Sequence, residues 1–156
     1  MNKLRVVIAS VLKPVTEPRA FHKLALSLRE TNKYHLNIIG FYSKKTISYP
    51  NISFHPVFNF GRTSIQRLFA SWKYYKILLK VKPDIIIVSS PELLTVSSIF
   101  KILFGAKLSY DVQENYFNNI YYTNTYPSII RPFLAYGVRL LEKLLDPLID
   151  LYILAE

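Results

Sequence analysis

The chain has 156 residues, enough for one domain with a buried core and too few for two ordinary ones. Hydrophobic residues make up 51% of it, which excludes a disordered or low-complexity protein, and the lack of cysteine excludes disulfides, thiolate metal sites and a cysteine nucleophile and suits a reducing compartment. The 20 Lys plus Arg against 10 Asp plus Glu leave a formal net charge of +10, which favours an anionic partner: a phosphorylated substrate, acidic lipid headgroups or nucleic acid.

The run from Met1 to Leu12 imitates a signal peptide, with basic residues ahead of an apolar stretch. It stops at Lys13-Pro14 with no small-residue cleavage site after it, so a buried first strand over Leu4 to Ala9 accounts for it better. A first helix is expected from Glu17 or Pro18 to Arg29, with Thr16 as N-cap, Pro18 in the first turn, and Phe21, Leu24, Ala25 and Leu28 as its buried stripe. Leu36 to Tyr42 and Asn51 to Val57 read as the second and third strands. Thr63 to Lys80 has the spacing of an amphipathic helix, with Ile65, Leu68, Phe69, Trp72, Ile77 and Leu79 as its apolar positions. Arg62, Arg67, Lys73, Lys76 and Lys80 make that helix basic.

Asp84 to Ser89 is the clearest strand, because Ile85-Ile86-Ile87-Val88 is continuous and β-branched, as a strand buried on both faces should be. Pro91-Glu92 opens another helix that ends near Gly105, and Lys107 to Val112 is a fifth strand. Gln113 to Tyr126 is polar and aromatic and should be a loop with short helical turns. Ile129 to Leu145 forms a last helix, stopped by Asp146-Pro147, and Asp150 to Ala155 a sixth strand. No stretch reaches the ~18 apolar residues of a membrane span, since the longest, Ile85 to Phe100, is broken by Pro91-Glu92. The expected address is cytoplasmic, either soluble or peripheral on the inner face of the membrane. The alternation predicts an α/β fold: a doubly wound, mostly parallel Rossmann-like sheet of about six strands with helices on both faces, one domain over 1–156.

In such a sheet, ligands sit beyond the carboxyl ends of the strands, and three loops there are polar. The first, Lys13-Pro14-Val15-Thr16-Glu17-Pro18-Arg19, has no glycine and lacks the G-x-G-x-x-G of a tight dinucleotide site, although amides of the first helix could face an anion. Its plain alternative is a capped helix entrance with solvated charges. In the second, Ser89-Ser90-Pro91-Glu92, Pro91 and Glu92 also suit an ordinary helix start, yet Glu92 falls at the mouth of the crevice. The third, Asp111-Val112-Gln113-Glu114-Asn115-Tyr116, clusters hydrogen-bonding side chains where a buried strand emerges. Turn capping by Asp111 or Asn115 competes there with ligand contact, which is favoured because so polar an exit is costly in a core. His22, His35 and His55 are isolated, without metal-ligand spacing, and there is no G-x-S-x-G elbow, P-loop or nucleic-acid recognition motif. The segment from Arg67 to Lys76 mixes cations with aromatics, so Arg67, Trp72, Lys73 and Lys76 are candidate contacts for an anionic membrane surface; an ordinary sheet-packing helix with a solvated basic face is the alternative.

Four stretches in register resemble the glycosyltransferase family 4-like N-terminal domain: the first strand with Lys13-Pro14 and Arg19 ("LKP…D.R"), Lys82 to Leu94 ("KPDVIHVHDPELL"), Lys107 to Tyr116 ("K.VYDVHEDY"), and Asp150 to Glu156, like the strand before a second domain. The resemblance implies a GT-B glycosyltransferase of the hexosyltransferase type. Its active site would lie between two Rossmann-like halves, this one binding the acceptor and the absent C-terminal half gripping a nucleotide-sugar donor, with no cofactor or metal bound on this side. It implies substrate contacts from Lys13, Pro14, Thr16, Glu17, Arg19, Ser90, Pro91, Glu92, Asp111, Gln113, Glu114 and Asn115. The expected partners are a glycan or lipid-linked acceptor of cell-surface polysaccharide assembly and a C-terminal donor-binding domain in cis or in trans, without which turnover is not expected; nucleic acid is not expected. Ser89 and Ser90 replace a histidine-containing segment of the family, and Gln113 stands where the family usually has histidine, so no protonic role carries over to that position. The competing readings are a non-catalytic acceptor-binding or membrane-docking subunit of a split glycosyltransferase, a nucleotide-binding Rossmann protein with an unusual loop, and a basic nucleic-acid binder.

Overall fold

The structure is a computed structural model, and it describes residues 3–44, 48–61 and 64–155. The first strand, β1 (Leu4–Pro14), is the spine of the sheet, with β2 (Tyr34–Phe41) on one side and β4 (Ile85–Val88) on the other. β3 (Ile52–Phe58) extends the β2 side, while β5 (Lys107–Val112) and β6 (Leu151–Leu154) extend the β4 side. The order β3-β2-β1-β4-β5-β6 is parallel at every pairing, the arrangement expected of a doubly wound Rossmann-like sheet. The chain reverses direction across the sheet between β1 and β4, the switch point beyond whose carboxyl ends such sheets bind ligands.

The helices divide between the two faces. α1 begins as a π-helical stretch, Arg19–Ala25, continues as α-helix over Leu26–Glu30, and packs Ala20, Phe21 and Ala25 against Val6, Ile8, Leu36 and Ile38. On the other face lie α2, a 3-10 turn over Ile65–Phe69 followed by α-helix over Ala70–Val81, and α3 (Pro91–Phe104), covering Val7, Ala9, Ile86, Val88 and Leu108. The short α4 (Tyr116–Tyr122) leads to α5 (Arg131–Leu145), which packs beside α3 and ends in a 3-10 turn, Asp146–Leu148.

Three expectations change. β1 runs on to Pro14, with Leu12 at φ 67° and a register shift against β2, so Lys13 and Pro14 belong to a bulged strand end and not to a free loop. Gly40 makes room for that bulge, since a Cβ there would stand 2.8 Å from the Lys13 carbonyl oxygen. Thr16 is not the cap of α1: its hydroxyl meets Ser43 at 2.9 Å, and the Glu17 carboxylate accepts the Ala20 amide at 2.8 Å instead. On α2, the residues facing the sheet are Ala70, Tyr74 and Leu78, whereas Ile65, Leu68, Phe69, Trp72 and Leu79 point outward. Small Ala70 lets the helix approach the sheet, and the Tyr74 hydroxyl hydrogen-bonds Ser97 of α3 at 2.8 Å, which leaves the bulky residues on the opposite side. Arg62 and Thr63, at the expected start of this helix, lie outside the described residues.

β6 is an edge strand held by one carboxylate. Asp150 accepts from the Leu108 amide at 2.8 Å and from Lys101 Nζ at 2.6 Å, and its own amide donates to the Leu108 carbonyl at 2.8 Å. The Lys101 hydrogen bond, then the Leu108 amide, hold the Asp150 carboxyl below its ordinary range. A depressed carboxylate contributes stability above the unfolded-state value of about 3.9 and loses it as pH falls through the folded one. Replacing Asp150→Asn should therefore lower stability by about 1 kcal/mol at neutral pH, roughly 2–4 °C in Tm. The gap between variant and parent should close as pH falls below about 4; thermal melts across pH check this, and a gap independent of pH would contradict it.

Candidate functional site

The exits of β1, β4 and β5 meet at the carboxyl rim, and the structure joins four of the expected site residues there in one network. Asp111, on the last turn of pleat in β5, is buried with its side chain 2% exposed. Arg19, at the start of α1, approaches it side-on: Nε lies 3.0 Å from both carboxylate oxygens and a terminal nitrogen 2.6 Å from Oδ1. Gln113 Nε2 donates to Asp111 Oδ2 at 2.6 Å, and Lys13 Nζ donates to Gln113 Oε1. A buried carboxylate needs this: its desolvation is tolerable only with a paired cation and filled lone pairs. Hydrogen bonding to Asp111 raises the Arg19 pKa above its already high ordinary value, against the opposing effect of burial.

Beside this network the exits of β1 and β4 are joined by a hydrogen bond of their own. Ser90 and Pro91 are buried, and Ser90 Oγ accepts the Val11 amide at 2.9 Å, so it ties β4's exit to β1. Glu92 is turned away from the crevice onto Arg67, whose guanidinium also donates to the Tyr126 hydroxyl at 3.1 Å. Asn115 caps α4 through the Asn118 amide at 3.1 Å, and Glu114 accepts from Asn119 at 2.5 Å. Pro14 and Thr16 line a separate open cleft of about 570 Å³ with His22, Tyr42, Lys44 and Tyr49.

A second open cleft, of about 460 Å³, begins at Gln113 and runs between α4, α5 and the end of β6. Its wall holds Glu114, Asn115 and Tyr116 of the third polar loop and adds three residues not expected there: Phe117, Arg139 and Glu142. The Arg139 guanidinium lies 5.2 Å from the Phe117 ring centre, and Glu142 accepts a hydrogen bond from the Tyr110 hydroxyl at 2.6 Å. Burial, reinforced by that hydrogen bond, drives the Tyr110 phenol far above its usual pKa. Burial with nearby carboxylates does the same for Tyr116, whose hydroxyl donates to the Ser89 carbonyl. Both phenols are thus fixed neutral donors, not bases. The available signal for this wall was Arg139 and Glu142 three residues apart on one helical face. Amides, carboxylates, a guanidinium and aromatic rings around one open cleft suit a polyhydroxylated ligand better than an apolar one. Among the described residues, no group of three or more His, Asp or Glu side chains could hold a metal ion. No helix among them is long and apolar enough to cross a membrane.

No protein-family model and no curated protein matches the chain. Among solved structures it is similar to a putative UDP-N-acetylglucosamine 2-epimerase from Listeria monocytogenes, with 14% identity and a TM-score of 0.57. The alignment covers 97% of this chain and 39% of that one, so the chain spans well under half the length of that neighbour. At that identity the likeness shows the fold alone: a Rossmann-like α/β domain of the GT-B-like kind.

The Arg19–Asp111 pair joins two halves of the rim, which makes it a sensitive place to perturb. Asp111→Asn should cost about 2–4 kcal/mol, because Arg19 keeps its charge and loses its counter-charge, whereas Gln113→Ala should cost about 1 kcal/mol. Denaturant titrations of the two variants against the parent measure both values; equal losses would show that the ion pair is not the anchor.

Proposed function

We propose that the chain is the acceptor-side half of a glycosyltransferase that moves a sugar from a nucleotide-sugar donor to a cell-surface polysaccharide or a lipid-linked acceptor. The supporting observation is the polar and aromatic cleft that opens from Gln113, beside the ion-paired Asp111 and Arg19, at the carboxyl rim of a Rossmann-like sheet. The structural neighbour carries a sugar nucleotide in its description, which agrees in substrate class with this reading. The donor is held by a C-terminal domain, in cis or in trans, and this half supplies acceptor binding and orientation. In that role Arg139 and Glu142 hydrogen-bond acceptor hydroxyls while Phe117 offers a ring face. The Lys13–Gln113–Asp111–Arg19 network keeps the cleft's inner wall rigid, so positioning is its contribution to rate.

The test combines binding and turnover. The chain alone should bind glycan or polyprenyl-linked saccharides and transfer no sugar from any nucleotide-sugar. Arg139→Ala should weaken acceptor binding roughly 10-fold, a loss of about 1.4 kcal/mol, within the range of one charged hydrogen bond. Isothermal titration and a radiolabelled transfer assay read the two. Turnover by the chain alone would overturn the reading. Acceptor binding that never supports transfer when a donor-binding domain is supplied is the outcome that marks a non-catalytic subunit.

A further inference from the structure

The carboxyl rim carries a second surface that the cleft does not use. Ile65, Leu68, Phe69 and Trp72 of α2 are 77%, 79%, 60% and 57% exposed, and Ile129 and Phe133, at the start of α5, are 81% and 77% exposed. The two groups are held side by side. Arg67 donates to the Tyr126 hydroxyl at 3.1 Å, and Arg131 donates to the Tyr126 carbonyl at 2.6 Å, so the segment before α5 is pinned to the 3-10 turn of α2. Arg67 also pairs with Glu92. It therefore serves as the rivet of this surface, and the outward cations are Lys73 and Lys76, both exposed on the following turn.

Apolar side chains exposed together mark a contact surface, and the charge around this one identifies its partner. No Asp or Glu occurs anywhere between Glu30 and Asp84, while Lys and Arg recur through that stretch. Lys76 Nζ sits 5.4 Å from the Trp72 ring centre, a cation with an amphipathic indole, as at a bilayer's headgroup level. Exposed Leu, Ile and Phe have little to gain from a phosphodiester backbone but much to gain from acyl chains. We infer that the start of α2 and the start of α5 form one docking surface for an anionic phospholipid bilayer, with Leu68, Phe69, Trp72, Ile129 and Phe133 entering the headgroup and acyl boundary and Lys73 and Lys76 meeting lipid phosphates. The surface lies on the same rim as the cleft, because α2 is entered from β3 and α5 follows β5 through α4. Docking therefore presents the cleft to the membrane plane. Resting on the acceptor-side reading above, this selects the lipid-linked acceptor over a soluble polysaccharide.

Vesicle flotation of the whole chain tests docking without reference to sugar transfer, so the two ideas fail separately. Vesicles of phosphatidylcholine containing phosphatidylglycerol should carry the chain upward, and phosphatidylcholine alone should carry far less. Leu68→Ser combined with Trp72→Ser should weaken partitioning at least about 10-fold. Lys73→Gln combined with Lys76→Gln should weaken it by about 5-fold for each lysine. A control with the same charge loss elsewhere, Lys23→Gln with Lys33→Gln, should bind as the parent does. All four positions changed in the two rim variants are exposed, so circular dichroism should show the parent fold in both. The inference is overturned if the Leu68 and Trp72 variant binds like the parent or if the control loses as much as the rim variants. It is also overturned if sedimentation shows a dimer that the Leu68 and Trp72 variant dissociates while vesicles leave the parent unbound; the surface would then be a contact between copies.

Discussion

The rim of this domain depends on a single buried charge. Asp111 ends β5 with almost no solvent contact, and a carboxylate so placed must either take up a proton or find a cation. Arg19 provides the cation from the opposite side of the topological reversal, since α1 belongs to the β1–β2 half and Asp111 to the β4–β6 half. The pair therefore does more than satisfy two side chains. It fixes where α1 begins relative to β5, and Lys13, on the bulged end of β1, reaches Gln113 beside it. Gln113 and, through it, Lys13 are positioned from that one contact.

The neutral side chain at position 113 makes sense against this background. Arg19 pairs with the Asp111 carboxylate, and Lys13 brings a second cation to the Gln113 amide oxygen. A histidine in place of Gln113 would, when protonated, add a third cation there and lose the acceptor that Lys13 uses. Glutamine donates to Asp111 and accepts from Lys13 at once and carries no proton equilibrium of its own, so that link in the network is fixed. That stability favours a wall that orients a ligand over one that exchanges protons with it.

Much of this fold was legible in the chain because its strongest signals are local. The continuous, β-branched run Ile85-Ile86-Ile87-Val88 reads as a strand buried on both faces, Pro91 and Gly105 bracket α3 by their backbone chemistry, and β5 falls on its expected residues. What was not legible is what depends on distance or on competition. Arg19 and Asp111 are separated by 92 positions, and no periodicity announces their pairing. Thr16 was the expected cap, but its hydroxyl meets Ser43, far along the chain, and the Ala20 amide is met by Glu17 instead. Asn115 and Glu114 border the cleft while also bonding to α4's own first turn and body, a double engagement that no spacing in the chain announces.

α2 shows why size alone misleads about burial. The helix bears two apolar stripes, one of Ala70, Tyr74 and Leu78 and one of Leu68, Trp72 and Leu79, each at helical spacing. A sheet can cover only one of them. The stripe with the smaller total bulk wins because Ala70 permits close approach and because Tyr74 finds a buried hydroxyl partner in Ser97, whereas Trp72 would have needed a partner for its indole N–H on the same crowded face. The larger stripe is thereby turned outward, where Lys73 and Lys76 flank it and no acidic residue of α2 offsets them. A helix apolar on both sides is ordinary inside a protein and costly on its surface. With cations along its outer edge, the second side suits a medium that is apolar within and anionic at its boundary, so the same side-chain pattern that fixes α2 on the sheet also leaves a stripe exposed for the docking proposed above.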